Sequence, residues 1–383
     1  MTCSSRIPAL LGIALLVSST AHAQIVVSAN DAKAKLIDGV NTTVPNGPPD
    51  TITIIDLKPA IPKIVAEVQV PNSVIGPPQN IAVTPDKSLM FVTSSTRIDA
   101  SDTSKTTPDD KVTVIDLKAK PPAILATLKA GRGASGIAIN PTGTLAIVAN
   151  RMEGTLSTYT IKGKNIASAG KVDLGAPESQ PSGIVFVPNG RGALITRNND
   201  DKVQWVSVDG SKVEPSPRTL NIGPKPYGID ITLRGDAAVV GTTGAGPAGS
   251  EDVIAVIDLS SGEPKLAKQI AAGSVVEHVA ISPNGQFVAA SVMNGSNLAK
   301  NAPMYNDFGR LRIFGLSNGT LEPITEVPIG HWCQGVAWPD SRTVLVQCMV
   351  EQEILSFRFD GRTLTSGSSI KVKGGPAGIK VIP

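Results

Sequence analysis

The stretch GIAINPTGTLAIVANR, Gly136–Arg151, reads as a short apolar strand, a Pro-Thr-Gly turn and a second apolar strand. The pattern recurs as IAVTPDKSLMFVTSS from Ile81, IVFVPNGRGALITRN from Ile184 and IDITLRGDAAVVGTT from Ile229. It returns as VAISPNGQFVAASVM from Val279 and VAWPDSRTVLVQCMV from Val336, and IKVIP from Ile379 is a copy cut short by the end of the chain. A period of roughly 40–57 residues is the mark of a repeat architecture.

Each hairpin is followed by a third strand, as in KVTVIDL at Lys111–Leu117, and then by a weaker fourth strand that runs into a Gly/Pro-rich turn. Four antiparallel strands per repeat make a propeller blade. Seven first strands predict an all-β, seven-bladed β-propeller. The last copy supplies one strand only, and Ile25–Ser28, Thr51–Leu57 and Ile64–Val70 supply the other three. The last blade is therefore expected to close with one C-terminal strand and N-terminal strands, which leaves no open inner edge. The 37 Gly and 30 Pro and the abundance of Val, Ile and Thr agree with an all-β chain.

The first 23 residues read as a signal peptide, with Arg6, the apolar run Ile7–Val17 and the small-x-small site Ala21-His22-Ala23. The expected domains are 1–23, signal peptide, and 24–383, propeller, in a periplasmic or secreted protein. Of 35 basic residues Arg6 leaves with the signal, and 34 remain against 32 acidic ones. That balance gives no basis for nucleic-acid binding. No later stretch is long and apolar enough for membrane insertion, and a monomer is expected.

Chemistry is expected on the face where the loops before first strands and after second strands open. Asn80, Ser135, Arg151, Ser182, Tyr227, His331 and Gln334 lie there as ligand-binding candidates. The adjacent Glu277 and His278 form a possible acid/base pair, with Arg197 as an oxyanion or carboxylate clamp. Neighbours in a strand point to opposite sides, so Glu277 and His278 share one site only if the chain bends there. Long loops on that face include Asn30–Asp50, Thr96–Asp110, Gly244–Asp252 and Gly295–Gly309. Asp230 and Lys380 replace small or apolar residues in first strands. They point to an axial channel that is solvated or takes a polar ligand.

Cys333 and Cys348 flank a hairpin that turns near Asp340-Ser341, so they should lie opposite one another. In an oxidising compartment a disulfide is expected. Two free core thiols, or a metal site with His331, remain open alternatives. No Gly-x-Ser-x-Gly elbow, P-loop or dinucleotide fingerprint is present, and no cofactor is expected.

The motif apolar-Ala-apolar-x-Pro-(Asp/Asn/Thr)-Gly-x-x-apolar-apolar-Val-x-Asn, followed by VxVIDL, resembles the YVTN-type repeats of the seven-bladed lactonase-like propellers. It covers most of Gln24–Pro383, and Ile137–Asn150 and Val279–Asn294 match best. The resemblance implies a propeller whose relatives include sugar-lactone hydrolases, muconate-type cycloisomerases and surface-layer proteins. The enzymatic members share an Arg-His pair opening the first strand and an Asn-Glu pair ending the second. Here Glu277-His278 stands for the first and Asn150-Arg151 for the second. Two functions follow as expectations. One is an exported propeller binding a small ligand or protein partner on its loop-rich face. The other is a lactone hydrolase or cycloisomerase-like enzyme using His278, Glu277 and an arginine.

Overall fold

The computed structural model describes residues 25–59, 61–244 and 251–382. The expected signal peptide and most of the loop Gly244–Asp252 lie outside the described residues. Seven antiparallel sheets are arranged as the blades of a propeller, six of four strands and one, opening with Cys333–Asp340, whose outer strand is split into Leu364–Ser366 and Ile370–Lys371; no helix is found among the described residues. Blade 1 opens with the inner strand Ile81–Val83, blade 2 with Ala134–Ile139 and blade 3 with Pro181–Phe186. Blades 4, 5 and 6 open with Pro226–Ile231, Val276–Ile281 and Cys333–Asp340. Blade 7 is composite. Its inner strand Gly375–Ile382 pairs with Ile25–Asp31, which pairs with Thr51–Asp56 and then Lys63–Gln69. The split closure read from the sequence is the one observed.

The core is a ring, because each second strand is buried on both faces. In Leu145–Asn150, Leu145, Ile147 and Ala149 pack on Ile184 and Ile195 of blade 3. Ala146 and Val148 turn the other way, onto Phe91 and Val114 of blade 1. Period-2 alternation thus joins each blade to both neighbours, and the same arrangement fills all seven interfaces. The fourth strands are mostly exposed, as in Ala123–Lys129.

Thr96–Asp110, expected as a loop, is largely a β extension. Strands Leu89–Ile98 and Thr106–Asp116 continue their pairing through Ile98↔Thr106. Backbone hydrogen bonds carry it without an apolar face, so hydrophobic pattern gave no sign of it. Cys333 and Cys348 face each other directly and form a buried disulfide. That bond takes both thiols the alternative metal site needed, and His331 pairs instead with Glu351 (Nδ1 to Oε1, 2.7 Å). A bridge across a separation of 15 residues is expected to contribute about 3 kcal/mol. Denaturant titration of the Cys333→Ser/Cys348→Ser variant should show that loss, and an unchanged midpoint would remove the stabilising role.

Candidate functional site

Inner strands enter the ring through a repeated β-bulge. Register slips between Ala134 and Ile137, Pro181 and Ile184, Pro226 and Ile229, Val276 and His278, and Cys333 and Val336. Bulges re-aim side chains. Here they bring Ser135, Ser182, Tyr227, Glu277 and Gln334 to one end of the propeller axis. Glycine usually follows, since the next blade passes close by. A Cβ on Gly136 would lie 2.1 Å from the Ser182 carbonyl oxygen, and one on Gly183 2.6 Å from that of Tyr227. Two blades break this rule. Asn80 lies against Gly378, and His278 lies against Gly228, each filling the room its neighbouring glycine leaves.

Two features absent from the sequence reading shape this end of the axis. The first is a bar, Gly76-Pro77-Pro78-Gln79, laid across the channel. The Gln79 carbonyl accepts from Ile137 of blade 2 (3.0 Å), and the Pro78 carbonyl from Ile379 of blade 7 (3.4 Å). The Gln79 side chain reaches blade 4, donating to the Ile229 carbonyl (2.6 Å) and accepting from its N–H (3.2 Å). The second is a cap, the hairpin Ala34–Ile37/Val40–Thr43. Asp38 and Gly39 both have positive φ, as a two-residue hairpin turn requires. Ala34 and Leu36 pack with Val74, Met293, Trp332, Met349 and Ala377. Buried Lys33 anchors the base, paired with Asp31 (3.1 Å) and Asp50 (2.9 Å). The cap covers the side of blades 5 to 7, and Gln334 lies beneath it, its Nε2 reaching toward the Val74 carbonyl (3.5 Å).

Beside the cap, blades 2 to 5 hold a polar group. The Arg151 guanidinium donates to the Ser182 hydroxyl and to Asn198 Oδ1 (2.9 Å), and it sits 5.5 Å from the centre of the Tyr227 ring. The Gly76 N–H of the bar lies beside the Tyr227 phenol and favours its ionised form. Glu277 is 5% exposed, and among the described residues its carboxyl has no hydrogen-bond partner. Burial pushes its pKa up to about 8, against the opposing pull of Arg151. Burial also raises the Tyr227 phenol, and the neighbouring Glu277 adds to it. Near neutral pH the group therefore carries one net positive charge, on Arg151. Ser135 Oγ, Asn80 Nδ2 and Oδ1, and Gln334 Oε1 are buried and find no partner among the described residues.

The remaining candidates lie elsewhere. Arg197 is held within blade 3 by Asp200 (Nε to Oδ1, 3.2 Å) and Gln204 (Nη1 to Oε1, 2.9 Å). The arginine beside Glu277 is Arg151. His278 follows Glu277 but points below the bar into the channel, where Asp230 and Lys380 also lie. Glu277 and His278 thus face apart, as neighbours in a strand do. His278 Nδ1 accepts the Val336 N–H (3.2 Å). Burial lowers its pKa to about 4, and the charge of Lys380 acts in the same sense. At neutral pH the ring is uncharged, with its proton on Nε2. His331 stands on the rim, partly exposed.

No family model matches the chain, and no curated protein matches it. Solved structures do. A candidate 6-phosphogluconolactonase from Bacteroides fragilis superposes with a TM-score of 0.73 at 15% identity, covering 96% of this chain and 99% of that one. One from Bacteroides uniformis gives 0.72 at 15%, covering 94% and 99%. The periplasmic gluconolactonase PpgL of Pseudomonas aeruginosa gives 0.71 at 13%, covering 94% and 99%. The shared property is the fold, a lactonase-like propeller along nearly the whole chain.

Proposed function

We propose that this is an exported propeller that binds a small oxygen-rich organic acid or its lactone at the Arg151–Tyr227–Glu277 group. One observation carries the reading: a guanidinium fixed by Ser182, Asn198 and Tyr227 beside a buried carboxyl at the mouth of the ring. A guanidinium so held is preorganised for a carboxylate or carbonyl oxygen. A neutral Glu277 can donate a hydrogen bond to the same ligand. Export is supported by Arg6, Ile7–Val17 and Ala21-His22-Ala23, by the Cys333–Cys348 disulfide, and by the periplasmic location of one structural neighbour.

Lactone hydrolysis is the second reading, favoured by the closeness of Glu277 to Arg151 and by the lactonases among the structural neighbours. Ionised Glu277 would take a proton from water as the oxygen attacks the lactone carbonyl. Arg151 would stabilise the oxyanion. The ring C–O bond would then break, and the leaving oxygen would recover the proton from Glu277. Such turnover should rise with pH through about 8.

The test is a thermal-shift and turnover panel of gluconate, 6-phosphogluconate, glucono-1,5-lactone and simple hydroxy acids. At least one member should stabilise the wild type, and Arg151→Ala should weaken it by roughly 10- to 100-fold, the worth of hydrogen bonds to a charged group. Binding without turnover establishes the first reading, and turnover abolished by Glu277→Gln establishes the second. A panel with neither effect rejects both.

A further inference from the structure

Below the bar the axis opens into a second, separate cavity of 380 Å³. Its outer end is framed by Pro85, Asn140 and Pro141, residues of the turns on the opposite face of the propeller. The Gln79 side chain closes its inner end. The wall is mixed, with Val83, Ala138, Ile139, Ile231, Ile281 and Val381 of different blades partly open to it beside polar groups.

The polar groups in this wall are unevenly satisfied. The acceptors are occupied. Asp230 Oδ1 accepts the Ile231 N–H (2.9 Å), and its Oδ2 accepts the Ile281 N–H of the next blade (2.7 Å). Gln79 is bonded at both ends. The donors remain available. His278 is 6% exposed, its Nδ1 is used by Val336, and Nε2–H has no partner among the described residues. Lys380 makes no direct ion pair or hydrogen bond among the described residues, and its charge is felt by both Asp230 and His278. A chamber of mixed wall, with one ammonium and one ring N–H left to donate, suits a compact molecule with an apolar body and an anionic acceptor at one end.

We infer that the axial cavity is a second binding site, entered from the face opposite the Arg151 group, for a small carboxylic acid with an apolar body held by Lys380 and His278. Val83, Ala138, Ile139, Ile231, Ile281 and Val381 give the body its apolar contacts, and the two donors hold the carboxylate. The inference does not rest on the reading of the upper site.

Benzoate and its neutral counterpart benzamide test it by calorimetry and by the indole N–H resonance of Trp338, which donates to the Ala280 carbonyl at the cavity wall (3.1 Å). Benzoate should bind saturably and shift that resonance, with benzamide at least about tenfold weaker. Lys380→Met, at a position exposed enough to leave folding intact, should weaken benzoate at least about tenfold. Arg151→Ala should leave benzoate affinity unchanged. Equal binding of both probes, an unmoved Trp338 resonance, full affinity in Lys380→Met, or loss in Arg151→Ala would each overturn the proposal.

Discussion

A chain ending at Gly374 should not fold to a stable propeller. The lost segment, Gly375–Pro383, contains the inner strand of blade 7, which pairs with Ile25–Asp31 from Ile382↔Ile25 to Gly375↔Asp31. Its Ile379 is buried with Val26, Ala337 and Leu345 against blade 6, and its Ile382 is buried against blade 1. Deleting one buried Ile side chain costs about 2–5 kcal/mol. Two of them, with the backbone ladder and the exposed edge of Ile25–Asp31, match the whole stability of a typical domain, about 5–15 kcal/mol. Circular dichroism should show no cooperative melt for the truncated chain. A melt within a few degrees of the intact protein would mean that the ring is not held by this closure. Ile379→Asp tests the same point without shortening the chain.

Glu277→Gln should stabilise the protein above neutral pH and flatten its pH dependence. With a folded pKa of about 8 against 4.5 for the free side chain, Glu277 keeps its proton in the fold after the unfolded chain has released it. Stability from this group is therefore lost as pH rises from 4.5 to 8. His278 acts oppositely. Its folded pKa of about 4, against 6.5, makes stability fall as pH drops from 6.5 to 4. The two slopes oppose one another between 4.5 and 6.5. From 6.5 to 8 only Glu277 of this pair contributes, and the loss is on the order of 2 kcal/mol at 1.36 kcal/mol per pH unit. Urea titrations of wild type and Glu277→Gln at pH 5.5, 6.5 and 8 give the difference curve. Parallel profiles would show that the carboxyl is already ionised at pH 6.5.

The architecture was legible because a strand packed between two blades must be apolar on both faces, and six complete copies of that pattern with a seventh cut short leave little choice. The bulge residues were legible too. Ser135, Ser182, Tyr227 and Gln334 each precede a glycine that the neighbouring blade requires. The bar and the cap were not. Their positions come from contacts across the axis, such as Gln79 to Ile229, which no local pattern encodes. Asp38-Gly39 is a readable hairpin signal inside the expected loop Asn30–Asp50. The choice between Arg151 and Arg197 turned on local partners. Asp200, three residues after Arg197, captures it, whereas Glu153 is engaged by Lys171 and the Arg132 N–H and leaves Arg151 to the site. The separation of Glu277 from His278 is the one that strand alternation gives, and the register slip at Val276–His278 does not undo it.

The central claim is that Arg151 and Glu277 form one ligand site whose charge is set by Glu277. Calorimetric affinity for the acid that stabilises the protein, measured from pH 6 to 9.5, tests it most directly. Constant affinity up to about pH 8, followed by a fall approaching tenfold per pH unit and absent in Glu277→Gln, is the predicted result. Affinity that is indifferent to pH across this range, or that falls in the same way in Glu277→Gln, would contradict it.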